Sequence, residues 1–187
     1  MKRVFISIHV EPDPDIMGVY DEFRAGLKNE PVKWVSPENF HITLAFLGSL
    51  DDKKIALLSD KFEKVSALWK PFIIEPAGVG VFKNIRTPSV LWFGFKDNAA
   101  LENLKYQIDE MLHEEGLPVD QGEFRPHLTF ARMKKRVYLK ELEVLVNKYE
   151  QKEFDSITIG SFLFNESTLK PGGPVYKPLG IYRFSPV

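Results

Sequence analysis

Two short stretches of the 187-residue sequence each set a histidine and a threonine two positions apart within an otherwise apolar run. In FHITLAFLG (Phe40 to Gly48) they are His41 and Thr43, and in PHLTFAR (Pro126 to Arg132) they are His127 and Thr129. Residues i and i+2 of an extended strand share a face, roughly 6.5–7 Å apart. Each motif therefore displays an imidazole and a hydroxyl on one side. Phe40, Ile42, Leu44 and Phe46, or Leu128 and Phe130, are expected to face the core. A single histidine on a strand is ordinarily structural; a doubled His-x-Thr asks for a chemical explanation.

Imidazole titrates near neutral pH, so two histidines opposed across a cleft can divide general acid and general base between them. The threonine hydroxyls can donate to the non-bridging oxygens of a phosphate held between them. A phosphodiester attacked in line, with nucleophile and leaving group on opposite sides of phosphorus, suits this arrangement best. Zinc hydrolases draw three protein ligands from His, Asp, Glu or Cys, and neither motif contains a carboxylate. No Gly-x-Ser-x-Gly elbow of a serine triad occurs. The absence of cysteine excludes disulfides, thiolate metal sites and a cysteine nucleophile.

Charge is uneven around the second motif. Residues 124–140 hold Arg125, Arg132, Lys134, Lys135, Arg136 and Lys140 and no acidic residue. This run reads either as a solvated basic turn or as a landing strip for a phosphate backbone. Arg132 follows His127 by five residues, and odd spacing puts it on the opposite face of an ideal strand. It reaches the cleft only if the strand bends or ends first. Arg125 and Phe46 are candidates to line the substrate. Trp34 and Phe46 otherwise suit the core, with stacking on a single-stranded base as the alternative role. His9 reads as structural, with the cleft as its alternative, and His113 as an exposed residue in the last turn of a helix.

The surrounding elements must bring the two motifs together. Val4 to Val10 alternates as a half-buried strand. Pro14 after Asp13 opens a helix carrying Ile16, Tyr20, Phe23 and Leu27. The His41 strand ends at Gly48, and Asp51 and Asp52 open a helix with Ile55, Leu58, Phe62, Val65 and Leu68 on one stripe. Phe72 to Phe82 reads as a strand or bent hairpin arm and Lys83 to Ser89 as a turn. The plan then recurs: strand SVLWFGF, a helix with Leu101, Leu104, Ile108 and Met111, the His127 strand, and a helix with Leu139, Leu142 and Leu145. Phe154 to Phe164 and Pro174 to Phe184 supply the last strands.

The two histidines are 86 positions apart, and the same shift carries Val4 onto Val90 and the helix at 14–28 onto 100–114. This self-similarity predicts an internal duplication, 1–85 and 86–187, within a single bilobal domain spanning 1–187. The lengths suit one domain, and 44% hydrophobic residues with 15 Phe suffice for a packed interior. A net charge of −1 excludes a generally basic nucleic-acid coat. No apolar run approaches the ~20 residues of a membrane span, so a soluble cytoplasmic protein with no membrane partner is expected.

These motifs resemble those of the 2H phosphoesterase superfamily, and more closely its bacterial and archaeal RNA 2′,3′-cyclic phosphodiesterases, also called 2′-5′ RNA ligases. KWVSPENFHITLAFLGSL, GEFRPHLTFAR and STLKPGGPVYKPL carry the likeness, with RVFISIHV at the start. The resemblance implies an α+β, bilobal, internally duplicated fold with two antiparallel sheets facing a central cleft and helices packed outside. It implies His41 and His127 as the catalytic pair, and Thr43, Thr129 and Arg132 as phosphate-binding residues. It further implies hydrolysis of a 2′,3′-cyclic phosphate to a 2′-phosphomonoester without metal or cofactor, and reversible 2′-5′ joining in some members. Expected partners are RNA ends or nucleotides bearing that cyclic phosphate, acted on by a monomer. Phe130 departs from the pattern, standing where an aliphatic residue is commoner. The alternative function is a non-catalytic nucleotide- or RNA-binding module using the same cleft.

Overall fold

Asp13 starts the first helix, α1 (Pro14–Gly26): its carboxylate accepts from the backbone N–H of Ile16, and Pro14 fills a position where no N–H is needed. Asp51 does the same for α2 (Asp52–Ala67) through Lys54, and Asn98 for α3 (Ala99–Glu114) through Leu101. Each such cap contributes about 0.5–2 kcal/mol. A fourth helix, α4 (Lys140–Tyr149), follows Leu139. Most of the predicted apolar stripes are buried: Ile16, Tyr20 and Phe23; Ile55, Leu58 and Phe62; Leu101, Leu104 and Ile108. Leu68, expected on the α2 stripe, instead caps the end of that helix and is 76% exposed. This computed structural model describes residues 1–120, 122–135, 138–170 and 173–186.

In chain order the strands are β1 (Lys2–His9), β2 (Val32–Trp34), β3 (His41–Leu50), β4 (Phe72–Ile74), β5 (Pro76–Val81), β6 (Val90–Phe95), β7 (His127–Met133), β8 (Ile157–Ile159), β9 (Ser161–Lys170) and β10 (Gly173–Arg183). Eight of them form one antiparallel sheet in the order β10-β9-β1-β3-β7-β6-β5, with β2 also paired to β7. The two expected sheets are realised as the two wings of this one sheet. They join where Ile42 of β3 pairs with Leu128 of β7, the single register pair between those strands.

β4 and β8 make a separate two-stranded sheet. Phe72 to Phe82 is therefore divided between two sheets, as is Phe154 to Phe164, where β8 stops at Ile159 and β9 begins at Ser161. The core lies beneath the seam. Phe40, Ile42, Leu128, Phe130, Phe23 and Phe93 are all fully buried there. Phe130 packs on Phe93 and Phe23, with ring centroids 4.7 and 5.2 Å apart. The larger side chain at this position thus fills the interior under the second motif.

Candidate active site

The pairing of Ile42 with Leu128 dictates the site. Both side chains point into the core, so their flanking residues point the other way. One step along this antiparallel register sets His41 opposite Thr129 and Thr43 opposite His127. Two imidazoles and two hydroxyls share one face, each histidine diagonal to the other. All four residues are half-buried.

Both rings are held in the same manner. His41 donates Nδ1–H to the Asn39 carbonyl at 2.6 Å, and His127 donates Nδ1–H to the Arg125 carbonyl at 2.8 Å. That choice of tautomer leaves Nε2 on each ring for chemistry. Aromatic neighbours fix the ring planes: Tyr176 lies edge-on to His41 at 5.3 Å, with Phe5 at 5.4 Å, and Phe82 lies edge-on to His127 at 4.6 Å. Among the described residues neither Thr43 nor Thr129 spends its hydroxyl on a protein partner. Burial pushes both imidazoles below their ordinary pKa, against the opposing pull of the two carbonyls. The positive charge of Arg132 pushes both further down, and His9 and His127 add to the effect on His41.

A β-bulge resolves the parity of Arg132. Trp92 pairs with Thr129 and Leu91 with Ala131, so Phe130 is an extra residue on β7. Phe130 and Ala131 are consequently both buried, and Arg132 returns to the face of His127 and Thr129. The first motif repeats the device: Ser7 pairs with Thr43 and Ile6 with Ala45, leaving Leu44 extra on β3. Phe46, expected on the core face by simple alternation, is instead 71% exposed and lies beside Phe5 on the cleft face. The bulge is the physical reason for that correction. Trp34, by contrast, packs into the core against Tyr20 and Phe130.

Several contributors were not singled out from the sequence. Lys33 of β2 pairs with Arg132 and shares its face. His9 pairs with His41 and, with Ser7, Glu38, Asn165 and Tyr176, lines a cavity of about 250 Å³ on the His41 side. Its alternative role is thus the one the geometry favours, and the alternation of Ser7 and His9 was the available signal. Arg125 is exposed; its side chain pairs with Glu123 at 2.7 Å while its carbonyl orients His127. Lys134, Lys135 and Lys140 are exposed beyond the motif, and Arg136 lies outside the described residues. His113 occupies the exposed last turn of α3. Among the described residues no three His, Asp or Glu gather as a metal site, and no helix is long and apolar enough to cross a membrane.

A curled antiparallel sheet with helices behind it is a fold shared with known proteins. The chain belongs to the LigT-like phosphoesterase family, whose sequence profile matches residues 9–92 and 95–176. A relative from Archaeoglobus fulgidus, named RNA 2′,3′-cyclic phosphodiesterase, is 36% identical over 97% of this chain and 99% of its own. One of the same name from Aquifex aeolicus is 34% identical over 77% of each chain. The fold matches the crystal structure of TT0787 of Thermus thermophilus, with TM-score 0.76, 24% identity and 97% coverage of both chains. It also matches E. coli LigT complexed with 3′-AMP, with TM-score 0.71, 19% identity and 98% coverage of both.

Proposed function

We propose that this phosphoesterase hydrolyses the 2′,3′-cyclic phosphate of RNA ends or nucleotides to a 2′-phosphomonoester, using His41 and His127 as acid and base. The observation that carries the reading is the seam at Ile42 and Leu128, which sets both Nε2 atoms and both threonine hydroxyls on one face. The names of the relatives agree with it. Thr43, Thr129 and Arg132 hold the phosphate, and Lys33 adds positive charge beside Arg132. Phe46 stacks on the base.

Forming a 2′-phosphate requires the bond from phosphorus to O3′ to break. His127 Nε2 takes a proton from the attacking water, and His41 Nε2–H gives one to O3′ as it leaves. The polar cavity around Ser7, His9 and Asn165 supports placing the ribose on the His41 side. Bound phosphate, being anionic, draws a proton back onto the His41 ring that burial disfavours in the empty site. When a hydroxyl replaces water, the same groups join RNA ends through a 2′-5′ linkage.

The test is turnover of a nucleoside 2′,3′-cyclic phosphate in EDTA. Each general acid or base contributes about 10²–10⁴-fold, so His41→Ala and His127→Ala should each lose activity on that scale. Near-normal rates in both variants would sink the assignment. We also propose that residues 1–85 and 86–187 are copies of one ancestral unit. The histidines, the bulge residues Leu44 and Phe130, and the starts of the two profile matches at 9 and 95 all stand 86 residues apart.

A further inference from the structure

The cavity on the His41 side extends past the ring that the mechanism uses, and its polar lining is Ser7, His9, Glu38, Asn39, Asn165 and Tyr176 beside His41. All but Glu38 carry a side-chain group that can donate a hydrogen bond. Ser7 is only 3% exposed and Asn165 only 4%. The Asn165 Nδ2–H donates to Ser7 Oγ at 2.9 Å, which fixes the amide. Its second N–H has no protein partner among the described residues, and His9 makes no side-chain hydrogen bond or ion pair among them. The Glu38 carboxylate is already met by the Ser36 hydroxyl and its own backbone N–H.

The register between β1 and β3 sets three pairs on the cleft face: Phe5 opposite Phe46, Ser7 opposite Thr43, and His9 opposite His41. Directly opposed Cβ atoms lie about 4.5–5.5 Å apart. His9 is therefore the next side chain outward from His41, on the side away from the seam, and it is exposed.

The connectivity of a ribose gives that position a meaning. O3′ is flanked by C4′ and C5′, whereas O2′ is flanked by C1′ and the base. With O3′ at His41 and the base on Phe46, the sugar lies along β3 with its 5′ side toward His41 and His9. In a free cyclic nucleoside phosphate that side ends in a hydroxyl; in an RNA chain it carries a phosphodiester.

We propose that His9, backed by the Ser7–Asn165 pair, binds the phosphodiester on the 5′ side of the terminal nucleotide, so that the site prefers the end of an RNA chain to a free cyclic nucleotide. The inference rests on the proposed function, in which His41 serves O3′. The His9 ring N–H donates to a non-bridging oxygen, and the second N–H of Asn165 reaches the same anionic group from the cavity floor. A phosphate contact positions the chain without reading a base, so the preference is independent of the preceding nucleotide's identity.

The experiment measures kcat/KM of the full-length protein on three substrates. They are adenosine 2′,3′-cyclic phosphate, the same nucleotide bearing a 5′-phosphate, and a dinucleotide ending in the same cyclic nucleotide. Ratios to the first substrate cancel changes in folding or in the shared chemistry. In the wild-type protein both ratios should be at least about ten. His9→Ala should bring them to within a factor of two or three of unity, His9→Lys should keep most of the preference, and Asn165→Leu should lower it in part. In parallel, the His9 ring ¹H–¹³C resonance, identified by its loss in His9→Ala, is followed in the His127→Ala background. It should move at lower concentrations of the 5′-phosphorylated nucleotide than of the bare one. Ratios near one in the wild-type protein, ratios unchanged in His9→Ala, or a gain from the dinucleotide without one from the 5′-phosphate would each overturn the subsite. Failure of the wild-type protein to open any of the three would count instead against the proposed function, and the His9 resonance would still decide the subsite.

Discussion

Phe46 and Arg132 occupy matching places in the two motif strands. Each stands five residues beyond its histidine, and each is turned onto the cleft face by an extra residue two positions earlier. One half of the molecule presents an aromatic ring at that place, the other a guanidinium. The cleft face is therefore near-symmetric in its histidines and threonines and asymmetric in what surrounds them.

Phe46→Ala should raise KM for a cyclic nucleotide about tenfold and leave kcat within a factor of two or three. Stacking on a base contributes about 1–3 kcal/mol, and the ring reaches no reacting atom. Steady-state kinetics on a purine and a pyrimidine substrate check this. An unchanged KM for both would remove Phe46 from the site.

Arg132→Gln should lower kcat/KM and move its pH profile. The Arg132 charge depresses both imidazoles, so its removal raises both pKa values and shifts the profile toward alkaline pH. In the wild-type protein both limbs of the bell should fall on the acid side of about pH 6.5, the ordinary histidine value. A profile that keeps its position in Arg132→Gln would place that guanidinium away from the rings.

Stability should fall as pH drops below about 6.5. Both histidines have folded-state pKa values below the unfolded one, so the unfolded chain binds protons first and the folded state loses ground. The loss begins near the unfolded value and is complete below the folded ones. Glu22, Asp52 and Glu115 are depressed by lysine partners and act in a separate window, below about 4.5. Calorimetry from pH 8 to 5.5 should show Tm declining, and less steeply in His41→Asn.

Phe130→Ala should destabilise the fold by about 3–5 kcal/mol, the usual range for a fully buried phenylalanine. Denaturant unfolding measures it. A cost below about 1 kcal/mol would mean that the aromatic cluster beneath the seam is not packed as described.

The histidine–threonine spacing, the four helices and the Asp13 and Asp51 caps are readable from residue type and spacing, because period and capping are local properties. Arg132 and Phe46 are not. Alternation predicts their faces correctly only in an unbroken strand, and a bulge is set by how neighbouring strands come into register. The division of Phe72–Phe82 between two sheets escaped for a similar reason, since partner choice is non-local. β2 is three residues long, too short to carry a period. Lys33 went unnoticed with it.

The partners of β7 decide how the two halves depend on each other. On one side it is bound to β6 of its own half; on the other, among the described residues, it is bound to β3 and β2, which come from the first half. Severed at the Lys83–Ser89 turn, the second half would bare that side of β7, an open edge of the kind that recruits foreign strands. Under the duplication proposed above, an ancestor made of one unit would have closed the same edge with a twin of itself. Its lone histidine would have worked across a dyad before gene fusion tied the twins together.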